Sequence, residues 1–169
     1  YRPATKITKV RNADGTEATF PGYSGAKGRS NDYSDNFLTY AYDFNGDGWT
    51  DIIVYDTPGA DAYWYENPQG RKNADGSDHW PRHLAVSTLD NESPRFGDID
   101  GDGKPDAVGN SKGFLGYASA NWSQPTQPWT WHSISPKGAW HKYTHGVGFG
   151  DVNGDDRADF LEQNGWWEQ

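Results

Sequence analysis

The chain has 169 residues, 33% of them hydrophobic and 15% aromatic, with a formal net charge of −9. An acidic balance without a basic run excludes the clustered Lys and Arg that nucleic-acid binding requires, and no apolar stretch approaches the ~20 residues of a membrane helix. Cysteine is absent, which excludes disulfides and thiol catalysis, while nine Trp and ten Tyr supply the buried surface that scarce aliphatic residues do not, about 150–250 Å² each.

In chain order, residues 1–34 read as an N-terminal strand and a long loop. Thr5–Val10 alternates as an edge strand does, and Asn12–Asp35 is rich in Gly, Ser and Asp. Then come three copies of one acidic nonapeptide, starting at Asp43, Asp98 and Asp151. Oxygen-bearing side chains stand at its first, third, fifth and ninth positions: Asp43, Asn45, Asp47 and Asp51; Asp98, Asp100, Asp102 and Asp106; Asp151, Asn153, Asp155 and Asp159. So much like charge in nine residues is unfavourable without a counter-ion. An all-oxygen set suits a hard cation, and calcium, with six to eight ligands, better than magnesium. The expected site adds the seventh-position carbonyls of Trp49, Lys104 and Arg157, giving about three Ca²⁺ ions, one per loop. Three such ions would bring −9 to −3, so folding is expected to be coupled to metal. Glycines at the fourth position (Gly46, Gly101, Gly154) and sixth (Gly48, Gly103) supply positive φ angles; Asp156 takes the sixth position of the last loop and is expected to adopt the same geometry under slight strain.

An EF-hand requires a glutamate at position 12 and flanking helices. Position 12 here is Val54, Gly109 and Glu162, and the segments that follow (Asp51–Tyr55, Asp106–Gly109, Asp159–Glu162) read as strands. The loops recur at spacings of 55 and 53 residues, and each is followed by a hairpin; Trp80–Val86 and Trp129–Ile134 add a further strand carrying Trp-x-x-His. About four short strands per unit at a period near 50 residues predict an all-β chain of propeller blades.

These residues resemble a known family. Phe96–Gly103 and Gly148–Asp155, with the strands that follow, are similar to FG-GAP or VCBS repeats. The resemblance covers roughly residues 35–169 and implies calcium-binding blades like those of integrin α-subunit propellers and of secreted bacterial proteins. Trp64–Pro68 and the Trp-x-x-His strand look more like the bacterial branch, which includes the propeller of aldos-2-ulose dehydratase-like proteins. The expected organisation is 1–34, the end of a preceding blade; 35–89, a first blade; 90–139, a second; and 140–169, a partial third. Closed propellers have about four to eight blades, so the chain is expected to be a segment of a larger propeller of six to eight blades, either a fragment or one completed by partner chains. The absence of Met at position 1 also suggests a processed product or fragment.

Aligning the repeats places Asn36 and Asn91 seven residues before a loop, and Glu92 and His145 six before. At the start of the innermost strand these four would converge at a channel mouth, as ligand-binding groups or as polar groups satisfying neighbouring blades. Glu92 with His145 would be the acid/base pair if the mouth were catalytic. His79/His83 and His141/His145 share an i, i+4 spacing, but on strands that separation is about 13 Å, too long to chelate one ion. His83 and His132 recur at equivalent places and are expected to be structural. Trp64 and Trp166 recur too, as blade-core residues do, although some aromatics could form platforms for sugars.

The favoured expectation is a non-enzymatic, calcium-stabilised repeat module of a secreted, extracellular or periplasmic protein, since weak calcium sites fill only near millimolar calcium. Its partner would be a protein or a polysaccharide. The alternative is a carbohydrate-active lyase or dehydratase.

Overall fold

The computed structural model describes residues 9–11, 17–19, 36–72, 76 and 79–169. Among them there is no helix, and none therefore long and apolar enough to cross a membrane. Two compact units divide at Asp35/Asn36. In the first, β1 (Lys9–Arg11) pairs antiparallel with β2 (Glu17–Thr19). A strand thus lies within the segment read as a loop; the rest of that loop, and residues 5–8 of the expected edge strand, fall outside the described residues.

The second unit holds three antiparallel meanders. The first runs β3 (Leu38–Tyr42), β4 (Asp51–Tyr55), β5 (Ala60–Tyr65), β6 (Arg82–Leu89). The second runs β7 (Arg95–Gly97), β8 (Asp106–Ser111), β9 (Phe114–Ser119), β10 (Thr130–Ser133). The third has β11 (Gly148–Gly150), β12 (Asp159–Glu162) and β13 (Gly165–Trp167). Each acidic nonapeptide joins the first strand of its sheet to the second.

Two apolar clusters hold the sheets face to face. One packs Phe44, Ile53, Tyr55 and Trp64 of the first sheet against Ala107, Ala118 and Trp129 of the second. The other packs Ile99, Val108 and Leu115 against Val147 and Phe160. All six residues of β8 are buried, because alternate side chains of a strand point to opposite faces: Ala107 enters the first cluster and Val108 the second. Aromatic rings do most of the filling where aliphatic residues are few. Phe44, at the second position of its loop, meets Trp64, Phe96, Trp122 and Trp129 with centroids 5.5, 6.0, 6.4 and 5.6 Å away. Tyr55 Oη donates to the Arg95 carbonyl at 3.1 Å, and Trp64 Nε1 to that of Pro125 at 3.2 Å.

The recurring histidines are part of this scaffold. Cross-strand partners Trp64/His83 and Tyr117/His132 stack at 4.4 and 4.7 Å. His83 Nε2 meets Glu66 at 3.0 Å and His132 Nε2 meets Ser119 Oγ at 2.8 Å. Trp166 differs from expectation. It pairs with Leu161 as Trp64 pairs with Ile53, yet it is 42% exposed where Trp64 is 0% exposed, because its face of the third sheet carries no covering layer among the described residues.

Gly97 sets the spacing of the second interface. A Cβ there would stand 2.7 Å from Phe149 Cζ, whereas at the equivalent Gly150 it would meet nothing within 4 Å. Gly97→Ala should therefore lower stability by about 1–3 kcal/mol through overpacking, and Gly150→Ala should leave it nearly unchanged. Urea midpoints of the two variants check this contrast.

Candidate metal centres

The three nonapeptides build one cage from the same backbone bonds. At the first position, Asp43, Asp98 and Asp151 accept from the N–H of the fourth residue at 2.8, 2.7 and 2.6 Å. Their second oxygens accept from the sixth residue at 2.8, 2.8 and 3.0 Å. Third-position oxygens of Asn45, Asp100 and Asn153 each accept from the fifth N–H at 3.1 Å. Asp47, Asp102 and Asp155 accept from the seventh, at 2.8, 2.8 and 3.0 Å. The required turns need positive φ at the sixth position, found at Gly48, Gly103 and also Asp156, whose φ is 66°. The left-handed geometry expected of Asp156 is present.

The ninth residue ties each cage to its sheet. Asp51, Asp106 and Asp159 open β4, β8 and β12, are buried, and accept from the second-position N–H of Phe44, Ile99 and Val152 at 2.9, 3.2 and 2.9 Å. Asp51 and Asp159 also take the N–H of Asn67 and Gln169, at 2.7 and 3.2 Å, with their other oxygen. Burial pushes the Asp51 carboxyl up from its ordinary value. Asp106 is pushed up to about 7, by burial first, then by the carboxylates of Asp100, Asp102 and Asp98, against the lowering effect of the Ile99 N–H.

The loops differ in how their charge is compensated. Asp47 is held below the usual range, by the Trp49 N–H first, and its carboxylate also accepts from Gln69 Nε2 at 2.6 Å. Asp155 is held down mainly by Arg157, whose Nη2 lies 2.7 Å from Oδ2. In the second loop the seventh-position side chain turns away: Lys104 Nζ sits 4.6 Å from the Trp122 ring centroid. Asp98, Asp100 and Asp106 bring one oxygen each within 4.8 Å of one another, and Asp102 stands outside that trio. An all-oxygen donor set with convergent carboxylates and a buried carboxylate of raised pKa fits a hard divalent cation such as calcium.

The four residues expected at a channel mouth separate into different settings. Glu92 Oε2 and His145 Nε2 lie 3.0 Å apart, and the Glu92 N–H donates to the Thr144 carbonyl at 3.2 Å. Asn91 is buried instead, its Oδ1 against Gly109 and both amide atoms without a hydrogen-bond partner among the described residues. Asn36 accepts from the Thr39 hydroxyl. His141 and His145 sit on an irregular segment rather than the expected strand, and both line a cleft of about 290 Å³ with Trp140, Tyr143, Gln163 and Asn164. Sequence reasoning missed this cleft; the only signal was an aromatic- and histidine-rich stretch without period between β10 and β11.

Residues 43–109, from the first loop into β8, match the family model of the FG-GAP-like repeat. Over these residues the chain is similar to an FG-GAP-like repeat. No curated protein and no solved structure gives a match.

Asp106 supplies a test of the loop electrostatics. A folded-state pKa near 7 against an ordinary 3.8 means the protonated carboxyl favours folding. That contribution is complete below about pH 4 and is lost as pH rises through about 7. In chelator, Asp106→Asn should melt above the parent at pH 8, and the gap should close toward pH 4; a gap that is constant with pH contradicts the assignment.

Proposed function

We propose that the chain is a calcium-stabilised segment of a β-propeller in a secreted protein, acting as an interaction module for a protein or polysaccharide. The observation that carries the calcium reading is the threefold cage. Asp106 and its equivalents are buried among like charges, and a divalent ion bound by the loop oxygens offsets that cost. Such an ion binds the folded loop and not the unfolded chain, so it adds directly to stability. The ligands would be Asp43, Asn45, Asp47, Asp51 and the Trp49 carbonyl, with their counterparts in the other two loops, including the carbonyls of Lys104 and Arg157. Loop two, with no side-chain cation or amide on its fifth-position aspartate, should bind most tightly. Loop three should bind most weakly, because Arg157 must be displaced from Asp155.

Support for the propeller reading comes from the open face of the third sheet. Phe44 and Ile99 are each 2% exposed beneath the next sheet, whereas Val152, at the same loop position, is 46% exposed. Gly150 lacks the phenylalanine that fills the space over Gly97, and Trp166 lacks the cover that Trp64 has. A further sheet of the same kind fits all three positions. Successive sheets stacking face to face in one sense is the arrangement that closes into a propeller.

Adding EDTA should lower the melting temperature by ten degrees or more on this reading, and excess calcium should restore it; an unchanged melt removes the proposed coupling.

A second reading, a carbohydrate-active lyase or dehydratase, is favoured by one observation: the Glu92–His145 pair at 3.0 Å borders the cleft, within the reach that general acid/base catalysis needs. Glu92→Gln and His145→Ala should then abolish turnover with little change in melting. If the interaction reading holds, the parent shows no turnover on polysaccharide substrates.

A further inference from the structure

The segment between β10 and β11 forms a strap that is hydrogen-bonded to the second sheet and passes close to turns of the other two. The Gly138 N–H donates to the Gly113 carbonyl at 2.8 Å, in the β8–β9 turn. Asn110 Nδ2 donates to the His141 carbonyl at 3.3 Å. Arg95 Nε donates to the Val147 carbonyl at 3.2 Å, and the Val147 N–H to Ser93 Oγ at 3.4 Å. The Lys142 stem lies 3.6 Å from where a Cβ on Gly59 would be, at the β4–β5 turn, and Gly146 abuts Gln163. All three second-to-third-strand turns are touched, so the strap covers the end of the sheets opposite the acidic nonapeptides.

Within the strap a tight turn presets the side chains. Thr144 Oγ1 accepts from the His141 N–H at 2.9 Å, and the Thr144 N–H returns to the His141 carbonyl at 2.9 Å. His141 Nδ1 accepts from the Tyr143 N–H at 3.1 Å. The turn holds Tyr143 exposed in a cleft also lined by Gln163 and Asn164.

Glu92 faces His145, Glu162 accepts from Asn164 Nδ2 at 3.1 Å, and Lys142 Nζ rests 4.9 Å from the Tyr143 ring centroid. Lys142 thus takes one face of Tyr143, and the rest of this exposed ring stands beside the uncharged side chains of Gln163 and Asn164. That combination matches a pyranose, whose C–H face packs on a ring while its hydroxyls both give and take hydrogen bonds. A cleft open to solvent accepts a sugar at the end or along the side of a polymer, and a few convergent polar groups fix its orientation.

We propose that this strap cleft binds an uncharged hexose unit of a polysaccharide, stacked on Tyr143 and hydrogen-bonded by Gln163, Asn164 and His145. The inference rests on the interaction-module reading and supplies its ligand class. The test is calorimetric titration of the full chain in calcium with soluble cello-, malto- and galacto-oligosaccharides, and with an oligogalacturonate as the charged counterpart. One neutral series should bind in the millimolar range or tighter. Tyr143→Ala and Gln163→Ala, both at exposed positions, should each weaken that binding at least tenfold with melting temperatures unchanged. Side-chain amide resonances of Gln163 and Asn164 should shift on addition of the sugar. Absence of heat with every neutral series, binding of the uronate alone, or binding indifferent to both substitutions overturns the proposal. The response to chelator, read on the same samples, reports separately on the calcium reading.

Discussion

Each repeat depends on a buried carboxylate at the junction between loop and sheet. Asp51, Asp106 and Asp159 begin the second strand of their sheets and hold the second-position N–H of the loop that precedes them. This bond fixes where Phe44, Ile99 and Val152 sit, and the first two of these are central members of the apolar clusters between sheets. The same residue therefore closes the loop and positions the hydrophobic side chain that the next sheet covers. Its cost is a charge withdrawn from water among other carboxylates, which is why Asp106 is pushed up to about 7. A cation in the loop would turn that electrostatic liability into a fastening.

Stacking follows from that fastening. With few aliphatic residues, the sheets meet through rings, and rings need space at defined places. Gly97 provides it for Phe149, and the small Ala107 and Ala118 provide it for Ile53 and Trp64. The exposed Val152 and Trp166 lie where the third sheet has no cover among the described residues.

Much of this was legible in the sequence because the signals are local and repeated. The oxygen spacing of the nonapeptides, their glycines and the strand after each one all follow from short-range backbone chemistry, and the structure repeats the same hydrogen bonds in each copy. The equivalence of His83 and His132 was legible for the same reason, although the rings they pack on, Trp64 and Tyr117, were not. The exposure of Trp166 was not, since burial depends on what lies opposite and not on repeat position. Nor was the strap: residues 136–147 have no period, and their conformation is set by turns from three different sheets. Repeat alignment did bring Glu92 and His145 to adjacent positions, but it could not separate them from Asn91, which the same alignment placed beside them and which the structure buries against Gly109.

The central claim, that the nonapeptides are cation cages, is tested most directly by an anomalous difference map from crystals grown in calcium. A peak inside each loop is predicted, about 2.3–2.6 Å from the oxygens of the first, third and fifth residues and strongest in the Asp98–Asp106 loop. Ordered loops without anomalous density, at calcium concentrations near those outside cells, would contradict the account.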